Sequence, residues 1–181
     1  MVLKEIGYCT EAISKMQKAS SLDEYEKYWI DFLKNFQSII NKSKFKSETD
    51  ASVSTACNQI RNLQKNNDLY KYLFHARNCN EHTTFEINEK VGSHTTVTGG
   101  KGGGRILRGE VRGDGKANTL VTEGNIQIEF HPERIGLLPA KDRGKEYAIP
   151  LHRPDGKILN TNVPDEIAEI ALLHLSSIIN H

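Results

Sequence analysis

Apolar positions recur every three or four residues through the first half of the chain and lose that period near residue 82. Leu22, Tyr25, Trp29, Phe32, Leu33, Phe36, Ile39 and Ile40 line one side of a helix expected to run from the Ser20-Ser21 pair to Lys42. Ser21-Leu22-Asp23-Glu24 opens it as a capping box, in which a hydroxyl and a carboxylate three residues on satisfy the first free amides. Ile6, Cys9, Ile13 and Met16 predict a first helix. Val53, Ala56, Cys57, Ile60 and Leu63 predict a third behind Asp50, and Leu69, Tyr72, Leu73 and Ala76 a fourth behind Asn66-Asn67-Asp68. The polar stretch from Lys42 to Asp50 is the expected loop between the second and third. Four helices with short connections pack most economically as an antiparallel bundle. Helical period turns Trp29, Phe32 and Phe36 inward, which makes them core and not a platform for stacking bases.

Beyond His82 the grammar changes. Thr83, Thr84, Phe85, Ile87, Val91 and Thr95-Thr96-Val97 favour β structure, Gly99 to Gly104 breaks it, and Gly109, Gly113 and Gly115 punctuate the stretch after that break. The glycine-rich run reads as a flexible loop between strands. Ile126, Ile128 and Phe130 alternate as a half-buried strand does, Ile135 to Leu138 is a short strand ending at Pro139, and Asp155-Gly156 is a turn joining Tyr147–Leu151 to Lys157–Leu159. Pro164-Asp165-Glu166 opens a last helix through Ile167, Ile170, Ala171, Leu173, Leu175 and Ile178, apolar enough to pack on the β layer or back on the bundle. The expected class is α+β: a helical bundle over 1–84, then a β-rich region over 85–181 with a C-terminal helix.

The 181 residues, 37% hydrophobic and 26% charged, have the composition of a soluble globular protein. No run is long enough to cross a bilayer and the N-terminus lacks the apolar core of a secretory signal, so a cytoplasmic location without membrane contact is expected. Cys9, Cys57 and Cys79 are odd in number and form no C-x-x-C pair, which reads as buried thiols. The formal charge of +1 excludes a strong uniform basic field, so any RNA contact must be local. Lys101, Arg105, Arg108, Arg112 and Lys116, opposed in that stretch only by Glu110 and Asp114, supply the candidate patch.

Gly99-Gly100-Lys101-Gly102-Gly103-Gly104-Arg105 matches neither G-x-x-x-x-G-K-[ST] nor G-x-G-x-x-G, and strand rather than helix comes after it, so it does not read as a phosphate cradle. The seven His contain no H-x-x-x-H, and Cys79 with His82 has no second ligand pair in sequence. No metal or other cofactor is expected. A G-x-S-x-G elbow is also absent.

The remaining constellation is Arg77-Asn78-Cys79-Asn80-Glu81-His82 at the end of the fourth helix. Arginine carries a permanent charge and forks onto phosphate oxygens, while histidine takes and gives a proton near neutrality. Those two groups suffice for RNA cleavage without a metal. The R-x4-H spacing, with Asn directly after Arg, resembles the signature of the HEPN superfamily, many of whose members are metal-independent ribonucleases. The resemblance implies a four- or five-helix bundle that pairs as a homodimer, with two such motifs facing one cleft. It implies attack of an RNA 2′-hydroxyl on its own phosphate, with His82 moving protons, Arg77 stabilising the phosphoryl oxygens and Asn78 orienting Arg77 or binding phosphate. DNA, lacking the 2′-hydroxyl, would not be cut. Glu81 reads as a surface partner for a cation. A toxin or a defence effector is the implied setting. The segment from Asp142-Arg143-Gly144-Lys145-Glu146-Tyr147 through Pro150, His152 and Gly156 is similar to the C-terminal part of uncharacterised bacterial proteins that share the Ala-Arg-Asn helix end.

A five-residue offset places positions 77 and 82 about 140° apart around an ideal helix. Either the helix loosens at Asn78 to Asn80, or two protomers complete the site. The alternative function is a non-catalytic dimeric helical module that binds a protein or nucleotide partner. Cleavage requires Arg77 and His82 to be accessible and near their symmetry mates, whereas an Arg77 tied into a salt bridge within the bundle rules cleavage out.

Overall fold

A computed structural model of the chain describes residues 3–49, 54–82, 86–111, 117–131 and 133–179. The fold is α+β, with helices at the N-terminal end, antiparallel strand pairs after them and a C-terminal helix. It divides into two compact units, one made of Met1–Glu89 with Ile135–His181 and the other of Lys90–Arg134.

The first unit holds α1 (Leu3–Gln17), α2 (Leu22–Thr49), α3 (Ser54–Asn66), α4 (Asp68–His82) and α5 (Pro164–Ile179). The signals read from the sequence start α2, α4 and α5 where expected. The Glu24 amide donates to Ser21 Oγ at 3.2 Å, and Glu24 Oε2 accepts from the Ser20 amide at 2.9 Å, one residue earlier than in a standard capping box. Asn67 Oδ1 accepts from the Leu69 and Tyr70 amides to cap α4. The expected loop after Lys42 is helix as far as Thr49. That stretch contains no glycine or proline, and its polar residues are compatible with a helix whose outer face meets water. The proposed N-cap Asp50 and Val53 lie outside the described residues, as do Thr83 to Phe85.

One apolar core fills this unit. Trp29, Phe32, Phe36 and Tyr70 form a continuous run of stacked and tilted rings with centroids 5.4 to 5.7 Å apart, all fully or almost fully buried. α5 packs against α1, α2 and α3, so the apolar C-terminal helix goes back onto the helices. A hydrogen bond from the Tyr25 hydroxyl of α2 to Asp165 Oδ1, returned by the Asp165 amide, ties the start of α5 to α2. All three cysteines are buried thiols, as the sequence implies.

β1 (Asn88–Val91) pairs with β4 (Arg134–Leu137). β5 (Ala140–Asp142) and β6 (Lys145–Tyr147) form a second antiparallel pair that packs on α4. Their two-residue connection, Arg143 at φ 51° and Gly144 at φ 75°, has positive φ at both central positions, the hairpin geometry whose twist matches that of the strands. Tyr147 thus pairs with Ala140 and not with the 157–159 segment. The expected turn at Asp155-Gly156 is present, closed by a His152–Ile158 bridge.

The second unit is a ribbon of β2 (His94–Val111) against antiparallel β3 (Ala117–His131). Gly99 to Gly104 lies within β2 instead of forming a loop. Its register slips between Gly99 and Gly104, and at that irregularity Gly104 faces Gly124, whose φ of 86° only glycine adopts without strain. Gly99 and Gly104 have ladder partners on β3, and residues 100–103 fall in the slip between them.

Candidate functional site

α4 positions the site. Leu69, Tyr72, Leu73, Ala76 and Cys79 turn into the core, and Tyr72 donates its hydroxyl to the Leu138 carbonyl at 2.7 Å, fastening the approach to β5 against the helix. The β5–β6 hairpin then delivers Asp142 to His75 and Asn78, one turn apart on α4.

Asp142 Oδ2 accepts from Asn78 Nδ2 at 3.1 Å and bonds His75 Nδ1 at 2.8 Å. Burial alone would raise the Asp142 pKa, but the hydrogen bonds from His75 and Asn78 outweigh it and hold the carboxyl below its ordinary value. An ionised carboxylate only accepts, so His75 carries its proton on Nδ1. Because Nδ2 of Asn78 is committed to Asp142, its Oδ1 faces the other way and accepts from Arg77 Nη1 at 3.2 Å. Arg77 Nη2 lies 2.5 Å from Glu81 Oε2, one turn further along. A polar chain therefore runs from His75 through Asp142, Asn78 and Arg77 to Glu81. Arg77 remains 29% exposed, while its Nε is buried with no hydrogen-bond partner among the described residues.

His75 also stacks on Tyr147 of β6, with ring centroids 3.4 Å apart and planes 11° from parallel. Both rings line a cleft of about 910 Å³ bounded by α2, α3, α4 and the 145–152 segment, with Arg61, Lys65, Lys71 and Lys145 along its walls. Lys145 Nζ lies 5.3 Å from the centre of the Tyr147 ring, in cation–π range.

Arg77 and Asn78 are thus brought into direct contact. His82 is the last residue of α4, which stays α-helical from Asp68 onward, so the helix does not loosen at Asn78 to Asn80; the His82 side chain lies outside the described residues. Lys101, Arg105 and Arg108 belong to β2 in the second unit, where position 105 faces 123 and 108 faces 121 across the ladder. Their side chains also lie outside the described residues, as do Arg112 and Lys116. No group of three His, Cys, Asp or Glu that could hold a metal exists among the described residues. No described helix is long and apolar enough to cross a membrane.

Sequence reasoning missed Asp142, His75 and Tyr147. The available signal was local: two turn residues, Arg143-Gly144, between segments that can pair, and a histidine two positions before Arg77. Comparison of the chain with protein-family models, with curated proteins and with solved structures finds no match in any of the three.

Proposed function

We propose that the chain is a metal-independent endoribonuclease of the HEPN type that acts as a homodimer on single-stranded RNA. The observation carrying this reading is the hydrogen-bonded line from buried Asp142 through Asn78 to Arg77. A guanidinium fixed by a buried amide, itself fixed by a buried carboxylate, has the support that a phosphate-orienting arginine needs. Asn78 is then a positioning residue for Arg77.

The ion pair with Glu81 decides whether Arg77 can do this. Both partners are partly exposed and belong to one helix, and such i,i+4 pairs are worth about 0.3–0.5 kcal/mol. A charge-assisted bond to phosphate contributes about 1.5–3 kcal/mol. On this reading Glu81, partly exposed and on the same helix, is a resting counter-ion that a phosphate displaces.

In the proposed reaction the 2′-hydroxyl oxygen attacks the adjacent phosphorus, the bond to the 5′-oxygen breaks, and a 2′,3′-cyclic phosphate forms. His82 moves the protons and Arg77 stabilises the equatorial oxygens. Since α4 is unbroken, positions 77 and 82 lie about 140° apart on one helix, which favours completion of the site by a second protomer. Lys101, Arg105 and Arg108 of β2 would hold the RNA backbone. A cytoplasmic toxin or defence effector fits this chemistry.

The purified protein should cut single-stranded RNA in EDTA, leave DNA intact, and lose about a hundredfold or more in rate in His82→Ala and Arg77→Ala while both stay folded. Activity that survives both substitutions overturns the assignment. The Arg77–Glu81 pair favours a second reading, a dimeric module that binds a protein or nucleotide without cutting. A stable dimer that cuts no RNA selects it.

A further inference from the structure

His75 and Arg77 leave α4 on nearly opposite sides, about 160° apart, and the guanidinium does not line the cleft that His75 lines. We infer that His75 is nonetheless a positioning residue for Arg77, acting through Asp142 and Asn78 and held in place by Tyr147. Its consequence for RNA cleavage rests on the ribonuclease reading; its consequence for the guanidinium does not.

Each link passes on a direction as well as a contact. The Tyr147 ring lies 3.4 Å from the His75 ring with planes 11° apart, and the Phe74 ring meets it at 4.9 Å and 82°, so the imidazole plane is set by two rings. A set plane sets the line along which Nδ1 donates, and Asp142 Oδ2 takes that bond at 2.8 Å. Asp142 ends a strand of three residues, and this donor from α4 completes its placement. The same oxygen accepts from Asn78 Nδ2 at 3.1 Å, so the place His75 gives Oδ2 is the place the Asn78 amide must meet. Asn78 is buried, and with its donor committed its Oδ1 is left to receive Arg77 Nη1 at 3.2 Å.

Arg77 has two anchors: Nη1 goes to Asn78, and Nη2 goes to Glu81 one turn further on. Without the His75 donor, the carboxylate and the amide are free to turn together, and Glu81 alone sets the guanidinium. His75 therefore decides between two poses of Arg77. It does so from the cleft wall, where 18% of its side chain is exposed and where its replacement does not open the apolar core.

The test reads Arg77 without RNA. Its Nε–H, buried with no partner among the described residues, gives a side-chain cross-peak in nitrogen–proton correlation spectra, identified by its loss in Arg77→Lys. His75→Phe keeps a ring against Tyr147 and removes the donor, and should shift or broaden that cross-peak. Tyr147→Ala releases the imidazole plane without removing a hydrogen bond of the relay, and should broaden it too. His75→Asn, which puts an N–H back near the position of Nδ1, should return it most of the way to wild type. A cross-peak unmoved in either of the first two variants overturns the inference, and so does one that His75→Asn disturbs as much as His75→Phe.

Where RNA is cut, His75→Phe should lower kcat about tenfold or more and change KM less than about twofold, as misplacing a group that acts in the transition state does. His75→Asn should recover most of that rate. Asparagine moves no protons, so the recovery separates positioning from proton transfer. A rate still lost in His75→Asn beside a restored cross-peak makes His75 a proton-transfer group and overturns the inference. If the wild type cuts no RNA, the ribonuclease reading falls and the cross-peak alone decides this one.

Discussion

Asn78 donates to Asp142 across a sequence separation of 64, and this single bond fixes which way the amide faces. With Nδ2 committed, Oδ1 is the only group it can offer Arg77. Asn78→Ala leaves a buried carboxylate with one donor fewer, and should cost about 1–3 kcal/mol in urea unfolding. Arg77→Ala, which removes a partly exposed pair, should cost below about 1 kcal/mol. Equal losses would mean that Asn78 serves only its neighbour.

Acid should expose the same carboxylate. Asp142 has a folded-state pKa below its unfolded value, so its contribution is complete above the unfolded carboxylate range and is lost as pH falls through the folded value. The wild-type advantage in melting temperature over Asp142→Asn should therefore shrink as pH is lowered from about 6 to about 3. An advantage that holds constant, or widens, would show that the carboxyl is not ionised in the fold.

Trp29 is fully buried at the head of the ring stack, so Trp29→Ala should cost about 3–5 kcal/mol. Its indole Nε1 is buried without a hydrogen-bond partner among the described residues. Trp29→Phe, which removes that donor and keeps a ring, should cost markedly less than the alanine change in the same denaturation experiment.

Gly144 is held at φ 75°, and a side chain there would meet open space. Gly144→Ala should then show backbone strain alone, roughly 1–2 kcal/mol. Because this turn sets Asp142 against Asn78 and Asn78 against Arg77, the variant should also slow RNA cleavage under the proposed function, measured in the assay used for Arg77→Ala.

The helices are legible in the sequence because their signals are local: a cap at Ser21, an amide at Asn67, proline at 164 and an apolar period between. Lys42 to Thr49 misleads because a polar tail that continues a helix into water has the composition of a loop. The glycine-rich run misleads because intrinsic chain entropy says nothing about a partner strand, which here pairs with both ends of the run, Gly99 and Gly104. Within the site, the Arg77–Asn78 contact can be read from adjacency. Asp142 cannot, since its role depends on a hairpin turn with arginine at positive φ, a residue that rarely signals one. His75 is hidden for the same reason: its chemistry comes from what β5 and β6 bring to it.

The pairing of β1 with β4 has a consequence for the chain as a material to build with. The chain departs into the ribbon at Lys90 and resumes the first unit at Ile135 through two strands that are neighbours in one sheet. A segment hung between adjacent strands is a cassette: it can be swapped, lengthened or removed without rerouting the chain on either side. Joining Val91 to Arg134 by an Asn-Gly turn should give a shorter protein with the helical circular dichroism and cooperative melting of the parent. Any binding property of the ribbon would then be portable, open to exchange between chains that keep the same first unit.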